Sequence, residues 1–143
     1  MAAVSLYATE HSSSYQSSTI RAGVLEAAHS QKLLMAHFVA DWCMPSRWME
    51  EHTFSDPEIN RYLQEDNLAI NVDTDQAGGF KDKEHYQVQT LPTILIFSAS
   101  GALSERIEGI TDVQKLRNFL NRHNQAIHKL SLTHIYEPTR LRR

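Results

Sequence analysis

Residues 33–46 have the sequence Leu-Leu-Met-Ala-His-Phe-Val-Ala-Asp-Trp-Cys-Met-Pro-Ser. The first seven, Leu33–Val39, form a nearly continuous apolar run between polar neighbours, which is typical of a strand buried on both faces. Cys43 follows this strand and begins a predicted helical stretch over 43–65. Pro45 is tolerated there because amides in the first turn of a helix have no partner within the helix. The helix dipole and free amides at such a position favour a thiolate, although a lone cysteine is more often a buried structural thiol.

Patterns on both sides of this stretch predict an alternating α/β order with a closing hairpin. We expect a helix from Ser18 or Thr19, a break in 43–65 with Ser55 as the second cap, a short helix over Phe80–Tyr86 after Gly78-Gly79, and a last helix capped by Thr111 or Asp112. The strands are expected at Leu33–Val39, Asn67–Val72, Thr93–Phe97 and Leu103–Glu108. This order predicts a mixed sheet of about four strands with helices on both faces. Trp48, one turn beyond Pro45, is expected in the core.

Length and composition limit the classes of protein that the chain can be. Its 143 residues fit one domain, which we place at 19–127, between a mobile leader at 1–18 and a tail at 128–143. Fourteen basic against seventeen acidic residues give a net charge of −3, which predicts no nucleic-acid partner. No apolar run reaches the ~20 residues that a membrane span needs. The one cysteine excludes a disulfide within the chain. The oligomeric state is not predicted.

Three short motifs resemble the thioredoxin family. Ala40–Ser46 resembles its active-site turn, with serine where the second cysteine of the Cys-x-x-Cys motif stands. Leu91–Thr93 resembles its cis-proline turn, and Glu108–Ile110 falls at its third substrate-facing loop. Together with Thr53–Pro57, the active-site turn is similar to the C-terminal thioredoxin-like domain of bacterial thiol–disulfide interchange proteins. The resemblance implies an α/β thioredoxin fold with a mixed sheet of four to five strands.

The resemblance also implies a set of site residues. The candidate catalytic residues are Cys43, Ser46 and His37, and the candidate substrate-binding residues are Trp42, Met44, Pro45, Leu91, Pro92, Gly109 and Ile110. A cis Pro92 would place the Leu91 backbone beside Cys43, where it could pair with an extended peptide. Without the resemblance, Pro92 could equally be a trans proline that starts a strand.

The site departs from the family pattern at three positions. Ser46 forms no disulfide, so it cannot release a partner that is bound to Cys43. His37 stands where the family usually has a buried aspartate, and the family's buried lysine would fall near Ala69. His37 is either a neutral, hydrogen-bonded core residue or a group that exchanges a proton with Cys43 or a leaving thiol.

These observations leave two hypotheses for function. In the first, the protein is a monothiol oxidoreductase or isomerase whose Cys43 forms mixed disulfides with cysteine-containing client proteins or with glutathione. In the alternative, it is a redox-inactive protein-binding module in which Cys43 is structural. No cofactor is implied apart from glutathione as a thiol partner, and the spacing of His123, His128 and His134 does not predict a metal site. The absence of a signal-peptide pattern favours a cytoplasmic chain, unless a signal that directs it to the periplasm or outside the cell has been removed.

Overall fold

The computed structural model describes residues 18–123, which form five helices and four strands. The helices are α1 (Ile20–Ser30), α2 (Met44–His52), α3 (Pro57–Glu65), α4 (Ala77–His85) and α5 (113–123). The strands are β1 (Leu33–Val39), β2 (Asn67–Asp73), β3 (Thr93–Phe97) and β4 (Leu103–Glu108). Of the predicted leader only Ser18 lies within the described residues, where its N–H donates to the Asn71 carbonyl at 2.9 Å. The predicted tail lies outside them.

The four strands form one mixed sheet in the order β2-β1-β3-β4. β1 runs parallel to β2 and antiparallel to β3, and β4 completes an antiparallel hairpin with β3. A parallel pair needs a crossover, which α2 and α3 supply, whereas the hairpin closes through a short turn containing Gly101 at φ +89°. The predicted α/β class and mixed sheet are confirmed.

The sheet separates two apolar layers. All seven residues of β1 are buried, so the strand contributes alternate side chains to both layers. Leu33 and Met35 pack with residues of α2, α3 and α5 on one face. Leu34 and Phe38 pack with α1 residues on the other. β1 therefore occupies the centre of the molecule, and the residues directly after it are held at one edge of a rigid sheet. Between residues 18 and 123, no helix has the length and apolar character needed to cross a bilayer.

Two details of the predicted helices are wrong. The cap of α3 is Asp56, not Ser55, because the Asp56 carboxylate accepts the amides of Glu58 and Ile59 at 3.0 and 3.2 Å. The Ser55 hydroxyl instead donates to the Glu51 carbonyl within α2.

The short helix predicted over Phe80–Tyr86 starts three residues earlier and includes both glycines. Gly79 packs so closely on β2 that a Cβ atom there would lie 1.9 Å from the Asp73 carbonyl oxygen. The glycine therefore permits close packing of α4 on the end of β2, rather than marking a break in the helix.

Candidate active site around Cys43

Cys43 is the N-cap of α2. Its backbone is extended, with φ −87° and ψ 108°, and its N–H donates to the Ala40 carbonyl at 3.0 Å. The side chain caps no amide of α2, so the sulfur lies at the positive end of the helix without serving as its cap. Only 7% of the residue is exposed, which restricts access to the sulfur to a narrow opening.

The turn before β3 lies directly against this sulfur. The Cys43 Sγ atom is 3.6 Å from the Leu91 carbonyl oxygen, to which the thiol donates. The Leu91–Pro92 peptide bond is cis. Among the described residues, no partner accepts the Leu91 N–H. This edge of backbone next to the sulfur can pair with an extended peptide.

One side of the sulfur opens into a cavity of about 370 Å³, here called the α4 cavity. It is lined by Trp42, Cys43, Thr74, Asp75, Phe80, Lys83, Gln89 and Leu91. The Trp42 indole N–H donates to Asp75 Oδ1 at 3.1 Å, which fixes one edge of an otherwise largely exposed ring.

Five residues of the α4 cavity were not predicted from the sequence: Thr74, Asp75, Phe80, Lys83 and Gln89. The parallel pairing of β1 and β2 could have indicated the first, because the carboxyl ends of parallel strands meet at one edge of a sheet. Thr74 shows this directly, since its N–H and its hydroxyl both donate to the Val39 carbonyl, at 3.0 and 3.1 Å. The loop after β2 is thereby tied to the end of β1, beside Cys43.

A second groove of about 390 Å³ lies on the opposite side of the start of α2, and we call it the Trp48 groove. Its lining residues are Met44, Pro45, Arg47, Trp48, Glu51 and Ile110. The expectation that Trp48 belongs to the core is wrong: it is 39% exposed and stacks on His52 with ring centroids 4.7 Å apart.

Hydrogen bonds hold the loop that carries Ile110. The Gly109 N–H donates to the Pro92 carbonyl at 2.8 Å, and Gly109 adopts a φ of +84°, which favours glycine. The buried Thr53 hydroxyl donates to the Thr111 carbonyl at 2.7 Å. These contacts bring Gly109 and Ile110 to the turn of Pro92. Of the predicted substrate-binding residues, Trp42 and Leu91 line the α4 cavity, Met44, Pro45 and Ile110 line the Trp48 groove, and Pro92 and Gly109 line neither.

His37 and Ser46 lie in the core rather than at the surface. His37 is fully buried, with its ring 4.7 Å from that of Phe54, and burial lowers its pKa from 6.5 to about 4. The side chain of Asn71, its register partner on β2, opposes this shift. Within residues 18–123, neither ring nitrogen has a hydrogen bond of normal geometry, and the buried Ser46 hydroxyl also lacks one.

His37 is therefore neutral at pH 7, and no hydrogen bond links it to Cys43. Its burial and neutrality agree with the core interpretation of this histidine, and the interaction with the Asn71 side chain is the polar contact that acts on it. Direct proton exchange between His37 and Cys43 would require a hydrogen bond between the two residues.

No group of three or more metal-ligating side chains comes together in the described part of the chain. Charged side chains line both openings, Asp75 and Lys83 at the α4 cavity and Arg47 and Glu51 at the Trp48 groove.

The mixed four-stranded sheet, with a cysteine at a helix start facing a cis X-Pro turn, defines a thioredoxin-type protein. The chain belongs to the thioredoxin-like family, because the family model "Thioredoxin-like domain" matches residues 22–124. Solved thioredoxins have the same fold. That of Thermus thermophilus superposes with a TM-score of 0.67 at 20% identity, covering 76% of this chain and 86% of its own. Thioredoxin O2 of Arabidopsis thaliana gives 0.60 at 22% identity, covering 76% and 93%.

Curated relatives point to one branch of the family. The thiol:disulfide interchange protein DsbD of Salmonella typhi is 41% identical over 71 residues, which are 49% of this chain and 12% of that protein. DsbD of Actinobacillus pleuropneumoniae serotype 5b is 32% identical over 98 residues, 66% of this chain and 17% of that protein. The chain thus spans less than a fifth of the length of these relatives, and it is related to one part of them.

Proposed function

We propose that this protein is a monothiol thiol–disulfide exchange protein in which Cys43 forms mixed disulfides with cysteine-containing client proteins or with glutathione. The observation that carries this proposal is the position of the sulfur. It lies at the N-terminus of α2, 3.6 Å from the Leu91 carbonyl, and lines an open cavity. A thiolate is stabilised at such a helix end, and the thiolate is the form that attacks disulfides.

The exchange step conserves electrons. The Cys43 thiolate attacks one sulfur of a disulfide, a new S–S bond forms to Cys43, and the other sulfur leaves as a thiolate. Because the chain has one cysteine, no second thiol within it can break this mixed disulfide. Release therefore requires a thiol from outside the chain, and the complex is expected to be long-lived.

Ser46 occupies the position from which a second cysteine would act. It is the third residue of α2 and is 1% exposed, so its hydroxyl faces the protein interior. A serine hydroxyl forms no S–S bond, so Ser46 leaves the site able to capture a partner but unable to release it. This arrangement suits capture, isomerisation or deglutathionylation better than net reduction.

Apolar side chains around the sulfur supply the client-binding surface in this proposal. Trp42 at the α4 cavity and Met44 at the Trp48 groove are each 70% exposed, and Ile110, also at the Trp48 groove, is 52% exposed. Contiguous exposed apolar residues around a reactive atom are typical of a binding surface. Pro45 lines the same surface, and the Leu91 backbone, positioned by Pro92 and Gly109, is available to pair with an extended client segment.

One observation favours the alternative of a redox-inactive binding module. Cys43 is 7% exposed, and its thiol already donates to Leu91, as a structural cysteine would. The two functions differ in whether the fold accelerates or suppresses the chemistry of this sulfur.

The deciding experiment compares Cys43 in the whole protein with the same cysteine in a synthetic peptide of residues 40–46. Both are treated with 2-hydroxyethyl disulfide, quenched with acid and analysed by intact mass, and Cys43→Ser serves as the blank. Exchange predicts that the protein reacts at least several times faster than the peptide. A protein rate at or below that of the peptide would contradict exchange and leave Cys43 as a structural thiol, as the alternative requires.

A further inference from the structure

The α4 cavity contains a lysine that forms an ion pair with no acidic side chain of residues 18–123. Lys83 is half-buried on α4 and lines the cavity together with Cys43. In residues 18–123 the ion pairs are Arg106–Glu108, Arg117–Glu58 and His123–Glu105, and none involves this lysine. Its ammonium also makes no hydrogen bond in that part of the chain. A partly enclosed ammonium without a partner is a favourable position for an anionic group of a ligand.

The other walls of the cavity limit the kind of ligand. Phe80 and Trp42 present rings that are 54% and 70% exposed, and Leu91 presents an unpaired backbone N–H. The carboxylate of Asp75 already accepts the indole N–H of Trp42. An apolar wall, an amide donor and one free cation beside a sulfur suit a short peptide that carries a thiol and a carboxylate. The volume of about 370 Å³ lies in the range of small-molecule sites.

We propose that the α4 cavity binds a small carboxylate-bearing cysteinyl peptide of the glutathione type, with its carboxylate on Lys83 and its sulfur at Cys43. This inference rests on the proposed exchange function and names the outside thiol that the function requires. The protein then discriminates among disulfides by the charge next to the reacting sulfur.

The bound peptide allows a complete reaction cycle. The Cys43 thiolate attacks the peptide sulfur of a mixed disulfide between the peptide and a client, and the client leaves as a thiolate that takes a proton from water. Cys43 now carries the peptide, held by Lys83. A second molecule of the peptide thiol attacks the peptide sulfur, Cys43 leaves as a thiolate, and the peptide disulfide departs. The net reaction exchanges one disulfide for another: the client sulfur is reduced to a thiol, the sulfur of the second peptide molecule is oxidised into the peptide disulfide, and the proton of that second thiol balances the one taken up by the client.

The test measures the rate of mixed-disulfide formation at Cys43 with three symmetrical disulfides of different charge. They are glutathione disulfide, neutral 2-hydroxyethyl disulfide and cationic cystamine, and each product is quantified by intact mass after acid quenching. Each rate is divided by that of the neutral disulfide, because a change in the reactivity of the sulfur itself cancels in the ratio. The reference is again the synthetic peptide of residues 40–46.

The glutathione ratio is the rate with glutathione disulfide divided by the rate with 2-hydroxyethyl disulfide, and the cystamine ratio is defined in the same way. We expect the glutathione ratio of the native protein to exceed that of the reference peptide. Lys83→Gln should lower it roughly three- to fivefold, as expected for one partly exposed charge pair. Lys83→Glu should in addition raise the cystamine ratio. The matched control is Lys81→Gln, which removes an exposed lysine of the same helix outside the cavity lining and should leave the ratios of the native protein unchanged.

Two outcomes distinguish a failure of the cavity proposal from a failure of the exchange function on which it rests. If 2-hydroxyethyl disulfide modifies the protein rapidly but the glutathione ratio is the same in native and Lys83→Gln protein, the cavity proposal is overturned and the exchange function stands. If none of the three disulfides reacts faster with the protein than with the reference peptide, the exchange function fails, and the inference fails with it.

Discussion

The sulfur of Cys43 and the carbonyl oxygen of Leu91 lie 3.6 Å apart, although 48 residues separate them in the sequence. The register of the sheet explains the contact. Phe38 pairs with Thr93 in the antiparallel ladder of β1 and β3, so the end of β1 lies beside the start of β3. The turns that extend these two strands therefore meet, and a partner that reaches Cys43 also meets the Leu91 backbone.

Restoring a second thiol should convert capture into release. Ser46→Cys replaces a buried hydroxyl that has no hydrogen bond by a thiol of similar size, three residues after Cys43 in the first turn of α2. The lifetime of a mixed disulfide at Cys43 should fall roughly tenfold or more without added thiol, because attack within one chain has a high effective concentration. Single-turnover release of a labelled client measures it. Recovery of the variant with both of its thiols still free after oxidation would contradict this prediction.

The buried histidine should make the stability of the protein depend on pH. The folded-state pKa of His37 is about 4, below the 6.5 of an unfolded histidine, so the unfolded chain binds a proton more readily. The free energy of unfolding should therefore fall as the pH falls from about 6.5 to about 4, by about 2 kcal/mol between pH 7 and pH 5 from this residue.

Urea unfolding at several pH values measures this dependence. His37→Leu should remove most of the slope whatever its effect at pH 7, whereas His29→Gln, which alters an exposed histidine of α1, should keep it. Equal slopes in native and His37→Leu protein would mean that His37 does not titrate on unfolding.

His37 is expected to have no effect on how the reactivity of Cys43 depends on pH. His37 is neutral at pH values well above 4 and has no hydrogen bond to the cysteine. The rate of Cys43 alkylation by iodoacetamide, followed from pH 5.5 to pH 9, should therefore rise along curves of the same shape in native and His37→Leu protein. An inflection that is lost in the variant would instead support proton exchange between the two residues.

Two adjacent glycines of α4 should respond differently to alanine. A Cβ atom at Gly79 would meet the Asp73 backbone at 1.9 Å, which cannot relax cheaply, so Gly79→Ala should cost about 2 kcal/mol or more. At Gly78 the nearest atom is a methyl group of the Thr19 side chain at 2.8 Å, which can move. Alanine there gains helix propensity, so the net change should stay below about 1 kcal/mol. Unfolding free energies of the two variants provide the comparison, and equal losses would show that the close approach to β2 is not the cause.

The buried hydroxyl of Thr53 should matter more than an exposed one nearby. Thr53→Val removes the donor to the Thr111 carbonyl and leaves that buried oxygen unpaired, at a cost of about 1–3 kcal/mol. Ser55→Ala removes an exposed hydroxyl that bonds the Glu51 carbonyl, and should cost less than about 0.5 kcal/mol. Thermal unfolding of both variants checks the order. A larger loss for Ser55→Ala would reverse the assignment of Thr53 as the anchor of the Ile110 loop.

The strands were predictable because their side-chain pattern is determined by burial. β1, β3 and β4 have the predicted bounds, and β2 is one residue longer. The start of α2 at Cys43 also followed from local residues, since Pro45 suits the first turn of a helix and an apolar strand precedes it. The resemblance added the turn of Pro92, which the sequence pattern left open between two conformations.

The α4 side of the site could not be predicted from local sequence. Gly78 and Gly79 are unfavourable in helices, and only the approach of α4 to the Asp73 carbonyl explains them. With the start of α4 placed too late, Phe80 and Lys83 had no assigned position relative to Cys43. Trp48 was expected in the core because a large aromatic residue is more often buried than exposed. Its stacking on the ring of His52, one turn further along α2, is a contact that the sequence pattern does not reveal.

The outer strand β4 has a consequence for how the protein behaves at high concentration. Of its six residues only Ile107 is buried, and Glu105, Arg106 and Glu108 place charges along a border of the sheet that no other strand of residues 18–123 covers. Charged side chains on such a border discourage other chains from joining the sheet, which is how many β-containing proteins avoid aggregation. In the proposed function, this charged border would keep an extended client segment from adding to β4 and leave the Leu91 backbone beside Cys43 as the place where such a segment pairs.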